Sequence, residues 1–216
     1  MEPQPHSKIL TIMFIDLVGY TSKIQQSTRQ QLNDLQDNFD NLTHPIFKKH
    51  SGNIIKKIGD AFLITFHSPT DALLCAIDLQ KEFQEHNKNN QNPLHIRVAL
   101  HAGEVLLKDK DVYGDSVNIT SRVESITPPD QIYFTESVQQ HMNKNEIPHL
   151  DLGHTYLKGI EQPVRIFKVK SKHDQNKKII SKIMEYILLT IAVAVIILVF
   201  YFILNKYNLL EKLFLN

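Results

Sequence analysis

The chain has 216 residues, enough for one ordinary domain with an appendage and too few for two full domains. Hydrophobic residues make up 42% of it, which supports a real core, and 24 Lys and Arg against 23 Asp and Glu leave no basic excess pointing to nucleic acid. Cys75 is the single cysteine, which excludes an intramolecular disulfide and a multi-cysteine zinc site; its apolar helical setting makes it a small core residue.

From the N-terminus, Met1 to Lys8 is short and polar, with no signal-peptide core. Ile9 to Ile15 is almost wholly apolar and ends on Asp16, the pattern of a buried central strand. Leu32, Leu35, Phe39, Leu42 and Ile46 recur at helical spacing, with Pro45 as an expected kink and Gly52 as an expected terminator. Ile54 to Phe66 reads as two strands joined tightly around Gly59-Asp60, and Ala72, Ala76, Leu79 and Phe83 mark a second helix. Ile96, Val98 and Leu100 alternate as a strand, Glu104 to Leu107 reads as one more, and Asp115 to Ile126 as a third helix stopped by Pro128-Pro129. Shorter strands are expected at 131–135, 150–157 and 164–169. The order strand, helix, two strands, helix, strand is that of a ferredoxin-like α+β core, βαββαβ.

The C-terminus differs in kind. Tyr186 to Leu204 carries no charge, and as a helix it would extend roughly 28 Å, close to the hydrocarbon thickness of a bilayer. Tyr186, Tyr201 and Tyr207 lie near its ends. Lys168, Lys170, Lys172, Lys177, Lys178 and Lys182 precede it, and only Lys206 and Lys212 follow, which puts the large N-terminal part on the cytoplasmic side of a membrane. The expected organisation is a domain at 7–170, a basic linker at 171–182, a transmembrane helix at 183–205 and a short tail at 206–216.

Two groups of residues carry chemistry. Asp16 and Asp60 each follow strand-like sequence, and in this topology the first strand lies beside the hairpin, so the two carboxylates can converge. Converging carboxylates beside a polyphosphate suit Mg²⁺, which binds through one or two carboxylates plus substrate oxygens. Gly19 and Gly59 would admit close approach of phosphate to backbone. Each Asp alone also reads as a turn residue beside glycine. Asn118 and Arg122 stand at i and i+4 and share a helix face, where Arg can fork onto phosphoryl oxygens; alone they also read as a solvated polar pair.

Five segments occur in one order: Phe14-Ile-Asp-Leu-Val-Gly-Tyr-Thr21, Lys56-Lys-Ile-Gly-Asp-Ala-Phe62, His101-Ala-Gly-Glu-Val105, Val112-Tyr-Gly-Asp-Ser-Val-Asn-Ile-Thr-Ser-Arg122, and Leu157-Lys-Gly-Ile160 with Pro163-Val-Arg165. From about Ser7 to Val169 the chain resembles the catalytic domain of class III adenylyl/guanylyl cyclases, whose core is of the palm type. The resemblance implies attack of a ribose 3′-hydroxyl on the α-phosphorus of a nucleoside triphosphate, with loss of pyrophosphate. It implies two Mg²⁺ or Mn²⁺ ions per site, held by Asp16, Asp60 and the backbone carbonyl of Leu17. It makes Asn118 and Arg122 the ribose-orienting and transition-state-stabilising pair, and Lys158 the contact to the terminal phosphates. Lys56 and Asp111 match the adenine-reading positions, so ATP is the expected substrate, and Lys57 should face the other side of its strand. In this family the site is divided between two protomers, which implies a homodimer. The connection from Val105 to Asp111 is shorter than the dimer arm of many relatives. The competing classes are a guanylyl or pyrimidine nucleotide cyclase and a catalytically silent membrane-bound nucleotide sensor; the intact acids, Asn118, Arg122 and Lys158 argue against silence.

Overall fold

The apolar run at the N-terminus is buried because it forms the central strand of a sheet. In the computed structural model, which describes residues 6–20, 27–88, 90 and 92–206, β1 (His6–Leu17) lies between β3 (Ala61–Phe66) and β4 (Ile96–Lys108), antiparallel to both. Ile12, Met13 and Ile15 are completely withdrawn from solvent. With β2 (Asn53–Ile58), β6 (Ile132–Thr135), β7 (His149–Thr155) and β8 (Val164–Val169), the sheet order is β2-β3-β1-β4-β6-β8-β7. Its first four strands have the order expected of the βαββαβ core.

One face of the sheet is covered by α1 (Arg29–Lys49) and α2 (Pro69–Lys88), which bury Phe39, Phe47, Leu73, Leu79 and Phe83 against Met13, Ile15, Phe62 and Ile64. The start of α1 is set by Thr28, whose hydroxyl accepts from Gln31 N–H while the Gln31 side chain accepts from Thr28 N–H. Such a cap contributes about 1 kcal/mol. The helix runs through Pro45, and the left-handed residue at its end is Ser51 (φ 57°), not the expected Gly52. Gly52 answers to packing instead: a Cβ there would lie 2.8 Å from the Phe66 ring.

The other face carries a second cluster, in which Leu10, Ile12, Phe14 and Leu63 pack with Val105 and Val112 of the same sheet. The segment expected as a separate strand at Glu104 to Leu107 is the far end of one continuous β4. β4 then turns through Asp109 and Lys110, both at positive φ (53° and 62°), into β5 (Asp111–Tyr113), with Lys108 opposite Asp111. Two successive positive φ values are the signature of a type I′ turn, whose twist matches that of the strands it joins. So the short Val105–Asp111 connection is a tight hairpin.

From β5 the chain enters α3 (Asp115–Ile126), which buries Ser116, Thr120 and Val123 against the sheet. A short helix, α4 (Glu136–His141), follows β6. The chain divides into two compact units after Val169. The second contains α5 (Lys172–Lys206), one helix that includes the basic segment expected as a linker. Within it, Ile183–Ile203 is long and apolar enough to cross a membrane, with mean hydropathy 2.9 and no part of it buried. Thr21 and the tail beyond Lys206 lie outside the described residues.

Candidate active site

The convergence of Asp16 and Asp60 follows from strand register. Asp16 sits opposite Ala61, so Asp60, the residue before it, is delivered to the end of β1 by the β2–β3 turn. That turn has two central residues, Gly59 at φ 62° and Asp60, with Ile58 opposite Ala61. A positive φ at the first position alone is the type II′ pattern, and glycine is the residue that adopts it without strain. Leu17 N–H donates to the Asp60 carbonyl at 3.2 Å, tying the turn to the strand. The Leu17 side chain is buried, which leaves its backbone as the group it can offer to the site. Burial and the Asp16 charge together raise the Asp60 carboxyl above its usual range. A carboxylate raised by its neighbour's charge invites a cation between the two.

Arg97 and Glu124, which nothing in the sequence assigns to this cluster, complete it. Arg97 on β4 lies directly across from Asp16 and donates to one carboxylate oxygen, Oδ2, from Nε (2.8 Å), with Nη2 in ionic contact with the same oxygen at 2.6 Å. Its Nε also lies 2.5 Å from Glu124 Oε1 on α3. Nε carries one hydrogen, and Asp16 takes it, so Glu124 Oε1 is a buried oxygen in ionic contact that receives no hydrogen bond from the described residues. Burial pushes the Glu124 carboxyl up to about 7; the Arg97 charge opposes this, and the Asp16 charge, a hydrogen bond shared with the Asp16 carboxyl and the Asp60 charge add to it. No sequence signal marks this trio, because cross-strand partners 81 residues apart have no spacing to read.

Lys56 and Asp111 meet. Lys56 Nζ donates to Asp111 Oδ2 at 2.6 Å and lies 6.0 Å from the centre of the Tyr113 ring. Burial opposes ionisation of Asp111, but hydrogen bonds from Lys56 and Val112 N–H prevail and lower its carboxyl. The meeting depends on a β-bulge. Ile54 pairs with Ile64 and Lys56 with Leu63, leaving Ile55 as an extra residue on β2. Ile64 belongs to the α1–α2 face and Leu63 to the opposite one. Strict alternation would have sent Lys56 to the helix side. The bulge reverses the count after Ile54. Lys57 therefore faces α1, where Nζ donates to Asp40 at 2.5 Å and stands 5.3 Å from the Phe62 ring centre.

Asn118 and Arg122 share the exposed face of α3. The helix is held by its buried stripe of Ser116, Thr120 and Val123, and Ser116 Oγ donates to the Glu104 carbonyl at 2.9 Å. A Cβ on Gly103 would lie 2.3 Å from Ser116 Oγ, so glycine on β4 is what lets α3 sit this close. At about 100° per residue, Arg122 and Asn118 project roughly opposite to the buried stripe, whereas Glu124 lies beside it. Among the described residues no side chain pairs with Asn118, Arg122 or Lys158, and Lys158 is exposed in the β7–β8 connection. Asn118 and Arg122 therefore project away from the sheet that carries Asp16 and Asp60.

The donor set at Asp16 and Asp60 fits a hard divalent cation, because all its oxygens are carboxylate or carbonyl. Among the described residues no three His, Cys, Asp or Glu side chains converge as ligands, so a cation here would complete its shell from substrate and water.

Residues 1–182 match the model of the adenylate and guanylate cyclase catalytic domain. Over 161 residues the chain is 31% identical to serine/threonine-protein kinase pkn2 of Myxococcus xanthus, covering 74% of this chain and 19% of that protein. Over 163 residues it is 26% identical to putative adenylate cyclase 3 of Rhizobium meliloti, covering 74% of this chain and 28% of that protein. The chain thus spans under a third of the length of these two curated relatives. Among solved structures it is similar to the adenylyl cyclase CyaB from P. aeruginosa, with a TM-score of 0.71 at 26% identity, over 80% of this chain and 99% of that one.

Proposed function

The chain belongs to the class III family of adenylate and guanylate cyclase catalytic domains, and from that premise we propose that it converts ATP to 3′,5′-cyclic AMP and pyrophosphate, as a membrane-anchored homodimer. The observation that carries the choice of base is the Lys56–Asp111 pair. A carboxylate accepts from the adenine amino group, whereas it would set lone pairs against the carbonyl of guanine. The neighbouring ammonium donates to a ring nitrogen of the same edge. Selectivity comes from the cost of leaving such polar groups unpaired.

In this reading Asp16, Asp60 and the Leu17 carbonyl hold Mg²⁺ or Mn²⁺, two ions per site. Bound there, the ions supply charge neutralisation at the triphosphate and acidify the ribose 3′-hydroxyl. Asn118 orients the ribose so that its 3′-oxygen lies in line with the bond to the leaving pyrophosphate. The 3′-oxygen forms a bond to the α-phosphorus while the α–β bridging bond breaks, and Arg122 stabilises the charge that builds on the phosphoryl oxygens. Donors of this kind contribute about 3–4 kcal/mol each in comparable sites. Lys158 holds the terminal phosphates. Because Arg122 and Asn118 project away from their own chain's Asp16, each site takes its carboxylates from one protomer and its α3 from the other.

The experiment is incubation of the purified full chain with each nucleoside triphosphate and Mg²⁺ or Mn²⁺, with products identified by mass spectrometry. Cyclic AMP and pyrophosphate are expected; cyclic GMP as the main product would overturn the choice of base. Anchoring is assigned to Ile183–Ile203, with the catalytic unit on the cytoplasmic side. The full chain should partition into detergent micelles and a chain ending near His173 should not; aqueous full-length protein would remove the anchor.

A further inference from the structure

The functional reading above uses Asp16 and the outer face of α3, and it leaves Arg97 and Glu124 without a task. Their placement is unusual. Arg97 is shared between Asp16 on β1 and Glu124 on α3, whose carboxyl also meets that of Asp16. The Arg97 Nε–H goes to Asp16 Oδ2, which Nη2 also approaches to 2.6 Å, while Glu124 Oε1 lies 2.5 Å from Nε without a hydrogen bond of its own. All three side chains are largely enclosed, with 13% of Asp16, 30% of Arg97 and 15% of Glu124 exposed. A buried acceptor left unsatisfied costs on the order of 1–3 kcal/mol, so one held so close to a donor needs a reason.

We propose that Arg97 and Glu124 are positioning residues that form a strut between the two active sites of the dimer, with Arg97 shared between Asp16, which serves one site, and Glu124, on the helix that serves the other. The proposal rests on the divided-site reading. Glu124 is two residues from Arg122 on α3, so its hold on the sheet sets where Asn118 and Arg122 stand. When Asp16 shares its charge with a cation, its claim on Arg97 weakens, and the guanidinium can turn its hydrogens to Glu124 Oε1. A carboxylate occupied in one site is thereby felt by the helix delivered to the other. This is a coupling between distinct sites through one element with two arrangements, and it acts in both directions.

The test uses full chains in detergent. An Asp60→Ala chain and an Arg122→Ala chain are co-expressed with different tags and isolated as heterodimers. Their one working site takes Asp16 and Asp60 from the Arg122→Ala chain and α3 from the Asp60→Ala chain. Glu124→Gln is then added to one chain at a time. In the chain that supplies the carboxylates, Arg97 then has no second carboxylate to turn to when Asp16 takes a cation, and the half-saturating Mn²⁺ concentration should rise about tenfold with kcat held. In the chain that supplies α3, kcat should fall roughly tenfold with Mn²⁺ dependence held. Electron paramagnetic resonance of free Mn²⁺, with a non-reactive ATP analogue present, should show the same tenfold weakening in the Glu124→Gln homodimer without any turnover. If Glu124→Gln does not accumulate, Glu124→Asp keeps the charge on a shorter arm and should give the same split in smaller size. An active parent pair in which the substitution acts alike from either chain, or not at all, overturns the strut alone. An inactive parent pair, with both chains present and paired, overturns the divided site and the coupling with it.

Discussion

The end of β1 and the outer face of α3 are built on opposite principles. Around Asp16 nearly every charge is already engaged: Arg97 holds Asp16 at 2.6 and 2.8 Å, Glu124 leans on Arg97, and Asp60 is delivered by a turn bonded to Leu17. On α3 the two residues proposed for phosphate and ribose stand in solvent with no described partner. The first region is preorganised within one chain, as the proposed metal site would need for its carboxylates to stay close despite their repulsion. The second is presented outward, where exposure costs the fold nothing and a second chain can supply what is missing. A site divided between two chains, as proposed, would split its work this way because only the half that concentrates like charge needs support from its own chain.

The largest expected effect falls on the preorganised half. Asp60→Ala should lower cyclic nucleotide formation by roughly 10³-fold, equivalent to about 4 kcal/mol, because it removes a metal ligand. Its thermal midpoint should stay near that of the parent, since Asp60 sits in a turn and not in the core. Near-parental activity at saturating Mn²⁺ would dissolve the contrast. Next comes the outward half: Arg122→Ala should cost about 10²–10³ in kcat while stability changes by less than about 0.5 kcal/mol. Mixing the two variants should restore activity to at most about a quarter of parental, since half the dimers regain one of two sites.

A smaller effect tests whether both halves hang on one strand. His101 on β4 is neutral and enclosed, hydrogen-bonded at Nδ1 to Thr135 Oγ1 (2.9 Å) and Ser137 Oγ (3.2 Å), and burial pushes its pKa down to about 4. The unfolded chain, with a histidine near 6.5, binds the extra proton first. Stability therefore falls as pH drops from 6.5 towards 4, by on the order of 2 kcal/mol. His101→Gln should flatten that slope in denaturant titrations. Loss of Mn²⁺ binding and loss of the α3 fold should coincide in the parent chain; separate transitions would show that β4 does not unite the halves. Smallest is base choice. Asp111→Asn should lower kcat/KM for ATP about tenfold, because an amide offers hydrogens where the adenine amino group needs an acceptor. Unchanged discrimination between ATP and GTP would free Asp111 from the site.

Much of this was legible in the residues themselves. The apolar run at 9–15, the helical stripe from Leu32 to Ile46 and the turn at Gly59-Asp60 specify local elements, because each rests on periodicity or on a backbone angle that one residue type accepts. The bounds of α3 and of β8 coincide with expectation for the same reason: Pro128-Pro129 and a short β-branched run are local signals. Family motifs supplied the named site residues, and strand order followed from element order. What the chain alone could not decide was everything that depends on counting across strands. The extra residue at Ile55 determines which lysine meets Asp111, and a one-residue shift in a strand exchanges its faces without altering its composition. Arg97 finds Asp16 only because β1 and β4 are neighbours in one register, and Glu124 finds Arg97 only because Gly103 lets α3 approach. Local angles and periods are written in neighbouring residues; partnership across a sheet is a property of register, and register is settled only when the whole core packs.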